Sequence, residues 1–149
     1  MEAYFDNSAT TIVTDSVKDI VVKTMTEDFG NPSAMHMVGV KAEKYIKEAQ
    51  ENIAKILKVD PKEIFFTSGG TESNNMAIIG TAMANKRKGN KIITTSVEHS
   101  SVLATMKYLE EQGFEVIYLP VDRYGVVQME ALEKEMTEDT ILVSTMYVN

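Results

Sequence analysis

Two adjacent glycines open the segment that carries the plainest chemical signal, Thr67-Ser68-Gly69-Gly70-Thr71-Glu72-Ser73, where a short β-prone run gives way to a helical one. Amides beside glycine can approach an anion with no Cβ between. The free N–H groups of a helix's first turn, with the positive end of its dipole, then favour a phosphate. Thr71, at or near the helix cap, would add its hydroxyl. The same residues also suffice for a capped strand-to-helix turn with nothing bound. No lysine follows the glycines as in a P-loop, and no third glycine stands at dinucleotide-binding spacing. A single phosphate monoester therefore fits better than ATP, GTP or a dinucleotide.

His99 follows the apolar run Lys91 to Thr95 across Ser96-Val97-Glu98, again at a helix start and at the same expected sheet edge. An imidazole there could stack on an aromatic ligand or exchange a proton, or simply cap the helix. Asn149 ends a third run at that edge and could offer its amide to a ligand hydroxyl, although a frayed terminal residue reads the same way. His36 lies just behind Gly30-Asn31-Pro32-Ser33, whose turn chemistry needs no further role.

Several chemistries are excluded. With no cysteine, two distant histidines and no His-Glu-x-x-His pattern, no metal site is expected, and disulfides and thiol nucleophiles are ruled out. No Gly-x-Ser-x-Gly elbow exists. A net charge of -7, with no basic block longer than Lys86-Arg87-Lys88, argues against nucleic acid. Short apolar runs and an acidic start argue against a membrane span or signal peptide, so a cytoplasmic protein is expected. The ten methionines read as scattered core filler.

The elements that position these residues follow from periodicity. Residues 1–13 read as an extended arm ahead of the helices and strands of 14–149. Apolar Val17, Ile20, Val21, Met25 and Phe29 recur at helical spacing, as do Ala42, Tyr45, Ile46, Ala49, Ile53, Ile56 and Leu57. Glu43/Lys47 and Glu51/Lys55 would pair on the outer face of the second helix. Further helices are expected over 71–88, 100–111 and 128–136. Strands are expected over 63–67, 91–95, 114–119 and 140–146. Four strongly apolar strands separated by helices predict an α/β fold with a mostly parallel sheet flanked by helices. The sequence stops at Tyr147-Val148-Asn149, directly at a strand's carboxyl end. Ligands in open α/β sheets bind at that edge, so this reads either as a cut through a functional region or as the last strand of a small domain.

Six landmarks in order carry a family resemblance: Tyr4-Phe5-Asp6-Asn7-Ser8-Ala9-Thr10-Thr11, Phe29-Gly30-Asn31-Pro32-Ser33 with His36, Phe66 to Asn74, Glu98-His99, Gly113-Phe114-Glu115-Val116, and Val143-Ser144 through Val148-Asn149. From end to end the chain resembles the N-terminal part of cysteine desulfurases of the iron-sulfur-cluster type. These lie in the class V aminotransferase branch of fold-type-I pyridoxal-phosphate enzymes. The resemblance implies that Gly70 and Thr71 hold the phosphate of pyridoxal phosphate and that His99 stacks on its ring as a catalytic group. Asn149 would be a neighbour of the cofactor, matching the first of an Asn-Asn-Glu run whose second Asn would be residue 150. Asn31 and His36 would lie at the substrate mouth. The implied reaction takes L-cysteine to L-alanine and an enzyme-bound persulfide. The implied partners are a second copy of the enzyme and an iron-sulfur scaffold protein that accepts the sulfur.

Three family parts have no counterpart here: the lysine of a Ser-x-His-Lys motif that holds the cofactor covalently, the Asp that pairs with the pyridine nitrogen, and the loop cysteine. The chain alone is therefore expected to be inactive, to bind pyridoxal phosphate weakly if at all, and to need the remainder of its own chain. The alternatives are a related class V enzyme such as a selenocysteine lyase, or a non-catalytic half-protein that binds a partner chain through its open sheet edge.

Overall fold

The computed structural model describes residues 3–7 and 9–148; Asn149, a candidate ligand residue, lies outside the described residues. The chain forms two compact units, 1–65 and 66–149, so the N-terminal arm shares the first unit with two helices.

In the first unit, α1 (Asp15–Thr26) and α2 (Met37–Leu57) follow the expected apolar periodicity. Asp28, just past α1, is buried and accepts a hydrogen bond from the Tyr45 hydroxyl at 2.7 Å. Lys41 Nζ at 3.3 Å and Lys23 Nζ at 3.7 Å complete its charge partners, which pins the end of α1 to the middle of α2. The loop between the helices runs close against α2: a Cβ on Gly30 would stand 2.2 Å from the Val38 carbonyl oxygen, so only glycine fits. On the outer face of α2, Glu43 and Lys47 pair at 2.8 Å as expected. The apolar stripe of α1 is not covered, however. Val17, Ile20, Val21 and Met25 are all exposed, and α1 buries no residue.

The strand expected over 63–67 is absent. Asp60 and Glu63 form a reciprocal capping box that winds Pro61–Glu63 into a 3-10 turn, and proline at its start favours that geometry. Residues 64–67 then run without a ladder partner, and Phe65 and Phe66 are exposed. Ile64 keeps extended dihedrals, so a paired neighbouring strand is what this run lacks among the described residues.

In the second unit, α3 (Gly70–Asn85), β1 (Lys91–Thr95), α4 (Ser100–Glu111), β2 (Glu115–Leu119), α5 (Met129–Glu135) and β3 (Thr140–Ser144) alternate as expected. The sheet is parallel throughout, in the order β2-β1-β3. The central strand shows why its sequence lacks alternation: Ile92, Ile93, Thr94 and Thr95 are all buried, two on each face. Helices α3 and α4 pack on each other, α3 also against β3 and α4 against β2. Ile78 and Ala82 of α3, Ile92 of β1, Val102, Met106 and Leu109 of α4, and Phe114 make one continuous core. Burying side chains of this size contributes about 1.5–3 kcal/mol each before entropy is counted. The methionines are not core filler: Met106 alone among the described methionines is buried.

Candidate functional site: two helix starts joined by a polar relay

The start of α3 is left open. Gly69 is its N-cap in an extended conformation, and no side chain caps the helix. The first amide to bond within the helix is that of Ser73, which donates to the Gly69 carbonyl at 3.1 Å. The N–H groups of Gly70, Thr71 and Glu72 come before it, and these are the orphan donors of a helix start. A Cβ at Gly69 or Gly70 would meet nothing within 4 Å, so the backbone of this turn is not crowded on its Cα side. Thr71 is the second helical residue rather than the cap, and its side chain is exposed.

What steadies this turn is a pair of hydroxyl contacts. Thr67 Oγ1 donates to the Gly69 carbonyl at 3.1 Å and lies 2.6 Å from Ser73 Oγ. The Ser68 hydroxyl and backbone N–H both donate to Glu72 Oε2, at 2.6 and 2.7 Å. Those two bonds, the hydroxyl first, hold the Glu72 carboxyl below the ordinary glutamate range.

His99 is the N-cap of α4: its Nδ1 accepts from the Ser101 backbone N–H at 3.1 Å. Capping and a ligand role had stood as alternatives on the sequence; the ring caps through one nitrogen and keeps Nε2 and its faces for other use. Ser101 Oγ lies 2.8 Å from the same Nδ1, and Asn74 of α3 donates its Nδ2–H to Ser101 Oγ at 2.9 Å. One turn on, the Thr105 hydroxyl bonds both Asn75 Oδ1 and the Ser101 carbonyl. Helices α3 and α4 are therefore joined near their N-terminal ends, and Thr71 shares a cleft of about 210 Å³ with Ser101.

Glu98, buried beside His99, closes the sheet edge. Its Oε1 accepts from the Thr95 hydroxyl at 2.6 Å and from the Met146 backbone N–H at 2.9 Å. Beyond the carboxyl ends of β1 and β3 lies a cavity of about 500 Å³, lined by Thr95, Val97, the turn Tyr124 to Val127, and Met146 to Val148. The sequence reading singled out neither Asn74 nor Ser101. The legible signal was a serine two residues after a capping histidine.

In the first unit the other two candidates have structural work. Asn31 Oδ1 accepts from the Ser33 N–H at 2.9 Å, an Asx turn, and His36 N-caps α2, accepting from the Gly39 N–H at 3.2 Å. Among the described residues no cluster of His, Asp or Glu could hold a metal, and no helix is long and apolar enough to cross a membrane.

Residues 3–149 match the family described as aminotransferase class-V. The chain belongs to that family. Among relatives, it is 48% identical over 146 residues to cysteine desulfurase IscS 1 of Archaeoglobus fulgidus, covering 98% of this chain and 38% of that protein. It is 50% identical over 146 residues to cysteine desulfurase IscS of Methanosarcina thermophila, covering 98% and 36%. Among solved structures, a NifS-like protein superposes with a TM-score of 0.92 at 48% identity, over 100% of this chain and 41% of that one. The apo structure of a cysteine desulfurase from Thermococcus onnurineus NA1 superposes at 0.82 with 26% identity, over 95% and 36%. This class-V chain thus spans well under half the length of these relatives. The parallel sheet expected from its sequence is the fold it shares with them.

Proposed function

We propose that the chain is the N-terminal part of a pyridoxal-phosphate-dependent cysteine desulfurase, one that takes L-cysteine to L-alanine and an enzyme-bound persulfide and passes the sulfur to an iron-sulfur scaffold protein. The observation that carries the reading is the uncapped start of α3, a helix whose Asn74 bonds Ser101 and through it meets His99, the N-cap of α4. Amides of this kind, with a helix dipole behind them, fit a phosphate monoester. The similarity to cysteine desulfurases supports the choice of substrate and of acceptor.

In this reading the amides of Gly70 and Thr71, with the Thr71 hydroxyl, hold the cofactor phosphate. The ring of His99 lies on the cofactor's pyridine face and can give or take a proton at Nε2, because Nδ1 is engaged. Bound there, the cofactor would supply an electron sink for the carbanion at the substrate's α-carbon. Asn149 would neighbour the cofactor, and Asn31 and His36 the substrate mouth. Residues 14–149 would be the incomplete large domain and 1–13 an arm belonging to the small one. A homodimer and a cytoplasmic location belong to the same proposal.

With no cysteine, the 149-residue chain has no thiol to accept sulfur, and alanine formation from cysteine is not expected from it alone. The deciding experiment is to read the coding DNA past the Asn149 codon. A second Asn, a His-Lys motif and a loop cysteine are expected. An immediate stop codon would overturn the enzyme reading and favour a half-protein that binds a partner chain. In the longer protein, Thr71→Val is expected to weaken pyridoxal phosphate binding by roughly ten-fold, the worth of one hydroxyl bond to a charged group. Unchanged affinity, read from cofactor absorbance, would remove Thr71 from the site.

A further inference from the structure

We propose that Asn74 and Ser101 are positioning residues that fix the tautomer of His99, placing its exchangeable proton on Nε2. One donor at the His99 ring has a direction that is not negotiable. A backbone N–H can only donate, and that of Ser101 points at His99 Nδ1 at 3.1 Å. Nδ1 must therefore present its lone pair. The Ser101 hydroxyl, 2.8 Å from the same atom, could in principle donate or accept. Its direction is set by the ring, because a nitrogen that presents its lone pair can only accept, while Asn74 Nδ2, which carries only protons, takes one of the two Ser101 Oγ lone pairs at 2.9 Å. The chain of donors thus runs one way, from Asn74 to Ser101 to His99 Nδ1. A neutral imidazole with Nδ1 accepting carries its proton on Nε2.

Burial makes the relay one-directional in practice. Ser101 is buried and Asn74 half-buried, so water competes little for either, whereas the His99 ring itself is exposed. Ser101 is further held by its carbonyl, which accepts from the Thr105 hydroxyl at 2.8 Å. The relay also couples two elements that the sequence separates by 27 positions, so that a shift of α3 against α4 would reach the ring. His36 supplies a natural contrast: it caps α2 through Nδ1 in the same way, with no hydroxyl among its bonding partners.

The inference leans on the proposed function only for what the Nε2 proton is for; the tautomer itself needs no cofactor. The test uses the 149-residue protein with ¹⁵N-labelled histidine, whose two rings give separable two-bond ¹H–¹⁵N patterns. His99 is expected in the Nε2–H form. Asn74→Asp replaces the donor with an acceptor, so the Ser101 hydroxyl turns toward the carboxylate and its lone pairs face Nδ1. The Ser101 N–H still points at Nδ1, so the Nδ1–H form of His99 is expected to rise to a detectable minor population, while His36 keeps its pattern. Ser101→Ala is expected to give a mixture and Ser101→Thr, which keeps the hydroxyl, to restore the wild-type pattern. This pair reads the relay independently of whether Asn74→Asp folds. An Nδ1–H ring in the wild type, or a His99 pattern unmoved by both Asn74→Asp and Ser101→Ala, would overturn the proposal. Neither result touches the phosphate reading, which stands or falls on cofactor absorbance.

Discussion

Met146 donates its backbone N–H to Glu98 Oε1 at 2.9 Å, across 48 positions of sequence. The same oxygen accepts from the Thr95 hydroxyl, so one buried carboxylate ties the exit of β1 to the exit of β3, next to the capping His99. Removing it leaves two donors without an acceptor. Glu98→Ala is expected to destabilise the chain by about 1–3 kcal/mol, and Glu98→Gln, which keeps an acceptor oxygen, by clearly less. Urea unfolding of the two variants separates these outcomes, and equal losses would show that the strut carries no weight.

Acid sensitivity should centre on Asp28. The Tyr45 hydroxyl, then Lys41 and Lys23, hold its carboxyl below the ordinary aspartate range against an opposing effect of burial. Because the folded value lies below the unfolded one, the stabilisation is present above the ordinary value of about 3.9 and is lost as pH falls through the folded value. Tyr45→Phe removes the largest cause, so the Asp28 titration should move to higher pH. A ¹³C carboxyl titration that did not move would contradict the role given to Tyr45.

Lys58 closes α2 in the left-handed region, at φ 58° and ψ 44°. Its successor Val59 donates to the Ala54 carbonyl at 3.0 Å, which completes the helix end. A side chain with a Cβ is strained there, and glycine is not. Lys58→Gly is expected to raise stability by about 0.5–1 kcal/mol after the greater freedom of glycine in the unfolded chain is subtracted. A lower thermal midpoint for that variant would count against the assigned cap.

The uncovered stripe on α1 should make the 149-residue chain associate. Val17, Ile20, Val21, Val22 and Met25 are between 47% and 73% exposed on one short helix. Light scattering is expected to show a mass that grows with concentration, reduced by the pair Val21→Lys and Met25→Lys. A stable monomer at high concentration would argue that the stripe is tolerated.

Much of this was decided by sequence alone, because the signals were local. Periodicity and capping signals placed the five α-helices of the described residues, and apolar runs placed β1, β2 and β3 in a parallel sheet, of which β1 is buried on both faces. The absence of cysteine settled which chemistry the chain cannot perform. Glycine and threonine at a helix start marked the N-terminus of α3, which the structure leaves without a side-chain cap, as a candidate phosphate site. The expected strand at 63–67 failed because Glu63 closes a 3-10 turn and the residues after it, extended from Ile64 on, find no ladder partner among the described residues, which no local signal states. What only the tertiary structure decided are the bonds that cross long stretches of chain: Asn74 to Ser101, Glu98 to Met146, Asp28 to Tyr45. Each depends on the relative placement of two elements that no periodicity encodes. The exposure of α1 was undecidable for the same reason, since an amphipathic pattern states that a face wants cover and not whether the chain provides it.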